Sequence, residues 1–268
     1  MKKHVMYDCY GSNEHQLDDI KHINDILTKL CFNLKLMPIC PPQLVPYYYG
    51  KVKEDIGVSA FILLEGGHVT IHTFPIRGCY FVDIFSQNDF DDDKAYEFFM
   101  QELPFNASIS FRNAKDRTTR RFEMLEYNAD VDFGPHLMSE IKSNAVPTME
   151  TFFDFLEKIV YEINMDPITR PLVLKSKIKN PKYLSALIVI AQSHIALHYN
   201  YRTKMIYADI FSCAAFDYSN VQAIYAPLGE VVSNELTARG SKHIYKVKLR
   251  DKNNDLKANM KWQKTIKK

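Results

Sequence analysis

The sequence predicts an α+β fold in which duplicated half-domains form an α/β/β/α sandwich, with two mainly antiparallel sheets flanked by helices. Short apolar runs of strand length, bounded by Gly, Pro and polar residues, occur in two sets along the chain. Each set is accompanied by segments with helical periodicity, and a constant number of residues separates the two sets. We therefore predict two half-domains, residues 1–130 and 131–268, that pack against each other.

Composition limits the class of protein. The chain has 268 residues, of which 46% are hydrophobic and 25% charged, as is usual for globular domains. A net charge of +2 produces no strong field, so we expect neither a nucleic-acid partner nor a membrane partner. The N-terminus lacks the apolar stretch of a signal peptide, and the five cysteines are irregularly spaced. These features favour a cytoplasmic protein with free thiols.

The first half begins with a strand over His4–Tyr10. A helix over about 12–30 follows, because apolar residues recur there every three or four positions. We expect a second strand over 33–39, ended by Pro41 and Pro42, and a loop over 43–55. The remaining elements are three strands (58–64, 68–74 and 80–85), a helix (92–102) and a polar, basic hairpin (108–126).

The second half repeats this order. Its predicted elements are a strand at His136–Glu140, a helix (147–163), four strands (171–177, 184–190, 194–199 and 205–211) and a helix (220–232). We expect the lysine-rich tail, 242–268, to form a strand over 244–249 and a solvated extension, with binding to an anionic partner as the alternative. His68 and His194, His72 and His198, and Asp83 and Asp209 are each 126 residues apart. This constant offset over three strands indicates a duplication.

Each copy carries two histidines four residues apart within a predicted strand. Residues with this spacing lie about 13 Å apart in a strand, too far to share one ion, so we predict no metal site. A two-residue turn at Glu65–Gly66 would place Ser59 opposite His72, with both side chains on one face. The same register would pair Ser185 with His198 in the second copy.

Ser193 follows the equivalent turn of the second copy, where we expect it to be exposed. In the next hairpin, centred near Thr203, Ser193 and Cys213 would face each other. Each of these residues alone is compatible with a structural role. Together, a serine, a cysteine and a Ser/His pair are groups that serve nucleophilic and general acid–base chemistry.

This constellation resembles the S-adenosylmethionine decarboxylase family. The resemblance covers both halves and is strongest in the three-strand blocks. It rests on residues 57–59, 68–75 and 82–85 of the first half, and on Ser185, 192–194, His198 and 209–213 of the second. It extends to His4–Gly11, where we take Tyr7 and Asp8 as candidate substrate contacts.

The resemblance implies a proenzyme that cleaves its own backbone between Gln192 and Ser193. The serine oxygen attacks the preceding carbonyl, and the resulting ester eliminates to leave a pyruvoyl cofactor. This group forms a Schiff base with a small-molecule amine substrate and accepts electrons as CO₂ leaves, while a cysteine donates a proton. The expected activity is that of a lyase in polyamine (spermidine) biosynthesis. Fragments 1–192 and 193–268 would stay associated after the cleavage.

In this family one copy gives the cleaved serine and the cysteine, and the facing copy gives a processing Ser and His. The second half has Ser193 and Cys213, where the first half has Gly67 and Gln87. The first half retains Ser59 and His72. The resemblance therefore implies one complete site, which makes a dimer unnecessary, although a homodimer stays open. Gln192 stands where the family usually has Glu.

Two departures concern the substrate. Lys53 stands where the family has an aromatic that stacks on adenine, and Ile76 stands where a Glu holds the ribose. Glu54 and Asp55 could instead meet a cationic group, although solvated loop acids are the simpler interpretation. The same chemistry on arginine or ornithine is therefore one alternative to S-adenosylmethionine. An uncleaved, non-catalytic relative that acts as a regulator or partner is the other.

Overall fold

Two sheets lie face to face at the centre of the computed structural model, which describes residues 2–48 and 52–242. The first sheet has the strand order β2-β3-β4-β5-β1-β6 and is antiparallel throughout. Its strands are β1 (Lys3–Tyr10), β2 (Gln43–Tyr47), β3 (Gly57–Leu64), β4 (Gly67–Phe74), β5 (Cys79–Ser86) and β6 (Phe111–Asp116). Helices α1 (Glu14–Leu17), α2 (Ile20–Asn33) and α3 (Asp92–Glu102) cover its outer face.

The second sheet has the order β7-β13-β8-β12-β11-β10-β9, in which only the β7–β13 pair is parallel. Its strands are β7 (Phe122–Met124), β8 (Gly134–Ser143), β9 (Leu172–Lys175), β10 (Tyr183–Ile190), β11 (Ser193–Asn200), β12 (Met205–Phe211) and β13 (Gly229–Arg239). Helices α4 (Met149–Glu162) and α5 (Val221–Tyr225) pack on its outer face. The predicted α+β class and α/β/β/α layering are confirmed.

Strand alternation sorts the side chains into layers. In β4, Val69 and Ile71 point outward into the core that the helices cover, whereas His68 and His72 belong to the inner layer between the sheets. Apolar side chains also fill parts of this inner layer. One group contains Phe61, Leu63, Leu187, Val189 and Ala196, and another contains Tyr10, Phe74, Phe81, Phe133 and Phe211. Because both faces of the central strands are covered, β3, β4, β5 and β11 are buried along their whole length.

The predicted three-strand blocks and their first hairpins are confirmed in both halves. Ser59 pairs with His72 and Ser185 pairs with His198, as the two-residue turns require. Helix α4 matches the prediction as well. It begins with a capping box at Thr148, whose side chain accepts a hydrogen bond from the Thr151 amide, and it buries one apolar face.

Three predicted elements are wrong. The 33–39 segment is not a strand, because α2 continues to Asn33 and the strand lies at β2, in the segment predicted as a loop. The 108–126 segment is not a hairpin, since β6 pairs with β1 and β7 pairs with β13 in the other sheet. The helix predicted at 220–232 ends at Tyr225, and β13 begins at Gly229. In each case a pairing distant in sequence decides the local structure.

The structure leaves some of the other predictions untested. The strand predicted at 244–249 and most of the lysine-rich tail fall outside the described residues. The boundary at residues 130 and 131 stays a prediction, although β7, which precedes it, joins the second sheet. All five cysteines are free thiols. Among the described helices, none combines the length and the apolar character that a membrane crossing requires.

Candidate active site

Four histidines from the two halves meet in the inner layer. His72 Nε2 lies 2.9 Å from His194 Nδ1, and His68 Nδ1 lies 2.8 Å from His198 Nε2. The two histidines of one strand are therefore not partners, as the strand spacing predicts, but each pairs with a histidine of the facing sheet. The constant offset of 126 residues could have predicted this pairing between the sheets, because a two-fold packing of equal halves brings equivalent strands together.

A serine and a histidine of the first half reach the predicted cleavage point of the second. Ser59 Oγ lies 2.8 Å from His72 Nδ1 and 2.8 Å from Gln192 Oε1. All three residues are fully buried. Burial lowers the pKa of His72 well below its ordinary value, and the neighbouring His194 lowers it further. The imidazole is therefore neutral at pH 7 and can accept a proton.

The turn at Ala191–Gln192 holds the predicted cleavage point in an unusual backbone conformation. Gln192 has φ = 51°, and the equivalent residue of the first half is Gly66, with φ = 75°. For a residue with a Cβ atom, the left-handed region costs about 1–2 kcal/mol. Ser193 is only 1% exposed, so the prediction that it is exposed is wrong, because the facing sheet covers this turn.

The predicted register between Ser193 and Cys213 is wrong by one residue. His194 pairs with Phe211 across the β11–β12 hairpin, whose loop is 201–204, so Ser193 lies opposite Ser212. Cys213 nevertheless touches the site, because its amide N–H donates to Ser193 Oγ at 2.9 Å. Its Sγ lies 3.2 Å from the Ala191 carbonyl oxygen. Burial and the charge of Asp55 raise the pKa of Cys213, so the thiol is protonated at neutral pH.

A cavity of about 570 Å³ opens beside this turn. Its walls come from both halves and include Ala191, Gln192 and Cys213, together with Tyr47, Val52 and Asp55, and Asp166, Pro167, Ile168 and Ala214. This volume is in the range of small-molecule sites. Sequence reasoning missed Tyr47 and the 166–168 segment, because nothing in their local pattern indicates that they face Cys213.

The candidate substrate contacts are dispersed. Asp55 lines the cavity, and its Oδ1 accepts a hydrogen bond from Arg77 Nε at 2.8 Å. Lys53 and Glu54 precede it in a short 3-10 helix but do not line the cavity, and Ile76 lies in the turn between β4 and β5. Tyr7 is buried beneath α3 and donates to the Asp92 carbonyl oxygen, at 2.9 Å. Asp8 is also buried, bonded to Arg239.

Arg239 is a functional candidate that the sequence did not indicate. Its side chain is buried between the sheets, where Nε donates to Asp8 Oδ1 and Nη1 donates to Asp83 Oδ1, both at 2.7 Å. Nη1 also lies 3.0 Å from His136 Nδ1. An arginine only donates, so this His136 nitrogen accepts and the ring proton is on Nε2.

That proton bears on metal binding. Two buried groups, His4–Asp83–His136 and His4–His68–Asp209, bring their donor atoms within 4.8 Å of one another. His136 Nε2 faces Asp209 Oδ2 at 3.7 Å, with a proton directed at the carboxylate instead of a lone pair directed at an ion. In the first group, the arrangement therefore favours charge pairing within the protein, and we propose no metal there.

The degenerate copy of the site, formed by Gly66, Gly67 and Gln87 of the first half, differs from the second-half copy in shape as well as in chemistry. A Cβ atom at Gly67 would lie 2.0 Å from the Phe85 carbonyl oxygen, and one at Gly66 would lie 2.7 Å from the Tyr183 ring. Gln87, at the place of Cys213, accepts a hydrogen bond from Asn200 Nδ2 at 2.8 Å. The backbone around Gly67 has closed into space that a side chain would need.

We therefore predict that Gly67→Ser does not create a second cleavage point. The substitution should destabilise the fold by about 3 kcal/mol, because the new side chain overlaps backbone atoms that cannot easily move. Urea unfolding and intact-mass measurement check both parts. The reverse exchange, Ser193→Gly, removes a side chain without overlap and serves as the stability control. Cleavage before residue 67 would refute this view of the degenerate copy.

Comparisons with known proteins show the family of this chain. The family model described as S-adenosylmethionine decarboxylase matches residues 3–114 and 138–229, most of both halves. The chain belongs to the S-adenosylmethionine decarboxylase family.

Individual relatives are distant. The S-adenosylmethionine decarboxylase proenzyme of Caldanaerobacter subterraneus is 28% identical over 87 residues, which make up 32% of this chain and 64% of the relative. The proenzyme of Clostridium botulinum is 28% identical over 103 residues, 38% of this chain and 83% of the relative. The crystal structure of the adenosylmethionine decarboxylase from Aquifex aeolicus superposes with a TM-score of 0.37 at 21% identity, covering 47% of this chain and 98% of that one.

Proposed function

We propose that this protein is a self-cleaving, pyruvoyl-dependent decarboxylase that acts in polyamine biosynthesis. One observation carries the proposal. Ser59 of the first half contacts both His72 and Gln192, while Ser193 and Cys213 of the second half contact each other at the same turn. The first half lacks the serine and the cysteine at the equivalent places, so the halves complement each other in one site.

Cleavage needs only groups that are present in the chain and one molecule of water. Ser193 Oγ attacks the Gln192 carbonyl carbon, the bond from that carbon to the Ser193 nitrogen breaks, and an ester replaces the amide. Loss of the Ser193 α-proton then expels the Gln192 carboxylate, and hydrolysis of the remaining enamine releases ammonia. The left-handed conformation of Gln192 and the neutral imidazole of His72 support this route, because one raises the energy of the turn and the other accepts protons.

The surroundings of Ser193 fit the group that this cleavage would produce. Ser193 lies beside the 570 Å³ cavity wall formed by Gln192 and Cys213, so the new N-terminus of the second fragment would face that space. A pyruvoyl group supplies a carbonyl that condenses with an amine and accepts electrons during decarboxylation. Cys213, held as a thiol by its raised pKa, is the proton donor of the site.

S-adenosylmethionine is the substrate that we infer first, from the family and from Tyr47. Tyr47 is an aromatic residue that lines the cavity, whereas Lys53 is not aromatic and does not line it. Two carboxylates in the lining, Asp55 and Asp166, favour a second candidate, a basic amino acid such as arginine or ornithine. Measuring CO₂ release from S-adenosylmethionine, arginine and ornithine decides between them. Replacing Tyr47 by Leu should weaken only the use of S-adenosylmethionine.

Intact-mass analysis of the purified wild-type protein tests the cleavage. We expect fragments 1–192 and 193–268, the second with a blocked N-terminus, which separate on a denaturing gel but elute together under native conditions. Ser193→Ala should give one full-length chain without decarboxylase activity. A wild-type chain that stays intact would overturn the proposal and favour the uncleaved, non-catalytic relative.

A further inference from the structure

A chain of buried hydrogen bonds continues behind the Ser59–His72 pair. His72 Nε2 lies 2.9 Å from His194 Nδ1, and His194 Nε2 lies 3.1 Å from Asp209 Oδ2. These residues are at most 1% exposed. The chain thus runs from a serine hydroxyl through two imidazoles to a carboxylate, and it crosses from one half of the protein to the other.

The carboxylate fixes the direction of every bond. Burial by itself opposes ionisation of Asp209, but the imidazoles of His68, His136 and His194 hold its pKa well below the ordinary value. A carboxylate only accepts, so His194 Nε2 donates to it, and a neutral imidazole, which has one ring proton, then has its Nδ1 free to accept. His194 Nδ1 must then accept from His72 Nε2, which leaves His72 Nδ1 as an acceptor facing Ser59.

The bond to Gln192 is compatible with this direction. The Ser59 hydroxyl has one proton, and in this chain it donates that proton to His72 Nδ1. Ser59 Oγ can then accept a hydrogen bond from the Gln192 amide nitrogen. A 180° rotation of the amide, which exchanges oxygen and nitrogen, brings this nitrogen to Ser59. In the orientation in which Oε1 faces Ser59, Gln192 Nε2 is buried without a hydrogen-bond partner within the described part of the chain.

An equivalent series of hydrogen bonds starts at Ser185, but it does not end in a carboxylate that anchors it as Asp209 anchors the first series. Ser185, His198 and His68 form the equivalent bonds, at 2.9 Å and 2.8 Å. Within residues 2–48 and 52–242, however, His68 Nε2 has no hydrogen-bond partner, and the nearby Asp209 oxygen lies 3.8 Å away. The aspartate equivalent to Asp209 is Asp83, which accepts from Arg239 instead. The anchored chain is therefore the one that ends at Gln192.

We propose that His194 and Asp209 are positioning residues, which hold His72 in the tautomer with its Nδ1 open to the Ser59 proton. The inference rests on the proposed function, since it assigns these residues to the self-cleavage step. Neither residue touches the Gln192–Ser193 bond through its side chain in the contacts described; both act through His72. The arrangement has the logic of a carboxylate that orients a catalytic imidazole, extended by one further ring.

Histidine ¹⁵N NMR tests the tautomer without any cleavage. Ser193→Ala protein, labelled at its histidines, should show protonated Nε2 and unprotonated Nδ1 for both His72 and His194, assigned by their separate replacement. Asp209→Asn in the same protein should change this pattern, because an amide can donate to His194 Nε2. Protonated Nδ1 on His72 before that substitution would overturn the inference.

Cleavage rates test the role. His194→Gln should slow cleavage by about 10²-fold, the lower range for general acid–base groups. His198→Gln, in the unanchored copy, loses the similar 2.8 Å bond to His68 but should cleave at nearly the wild-type rate. If both variants slow cleavage equally, and if this slowing follows their loss of thermal stability, His194 has only a structural role. If the wild-type chain is not cleaved, the proposed function fails, while the NMR measurement still decides the tautomer.

Discussion

Replacing His72 by Gln is expected to slow cleavage at Gln192–Ser193 by about 10²–10⁴-fold, whereas His198→Gln should leave cleavage almost unchanged. Both histidines are buried, both lie within 2.9 Å of a serine hydroxyl, and each contacts a histidine of the facing sheet. They differ in what their serines face. Ser59 reaches the Gln192 side chain, whereas Ser185 lies 3.3 Å from the Leu64 carbonyl oxygen of the degenerate copy.

The two variants are matched controls for each other, because each leaves one serine hydroxyl without its imidazole partner. We expect a similar stability loss of about 1–3 kcal/mol from each. Cleavage is followed on a denaturing gel after synthesis, and stability is followed by urea unfolding. If His198→Gln abolishes cleavage as well, the assignment of one working pair to the first half is wrong.

Arg239→Met is expected to destabilise the protein by about 3–5 kcal/mol, the largest loss of stability that we predict for one substitution. Arg239 is 1% exposed and neutralises two buried carboxylates, Asp8 and Asp83, through hydrogen bonds of 2.7 Å. Its removal leaves two buried carboxylates without the cation that neutralises them. The attraction it supplies is large because the surrounding side chains screen it little.

Urea unfolding of Arg239→Met measures this loss, and Arg112→Met supplies the control. Arg112 pairs with Asp92 and Asp93 near the surface, where solvent screening limits the loss to about 1 kcal/mol or less. Adding Asp83→Asn to Arg239→Met should restore part of the stability, since it removes one of the uncompensated charges. A loss for Arg239→Met no larger than that for Arg112→Met would show that the buried carboxylates find other partners.

Local rules predicted part of the site correctly. The two-residue turn at Glu65–Gly66 fixes the pairing of Ser59 with His72, because side chains alternate and a shift by one residue would turn every side chain over. The same reasoning was wrong by one residue for Ser193 and Cys213. The 201–204 loop is longer than a two-residue turn, so its centre could not be read from the flanking strands.

The sequence by itself determined the duplication, the register of the two-residue hairpin in each half, and the placement of Ser193 and Cys213 in one half and of Ser59 and His72 in the other. These features follow from spacing along the chain, which local backbone geometry translates directly into structure. Only the tertiary structure decided that His72 meets His194, that Asp209 anchors this pair and that Arg239 occupies Asp83 in the other copy. His72 and His194 are 122 positions apart, and Asp83 and Arg239 are 156 positions apart. These contacts form only when the inner faces of the two sheets pack together.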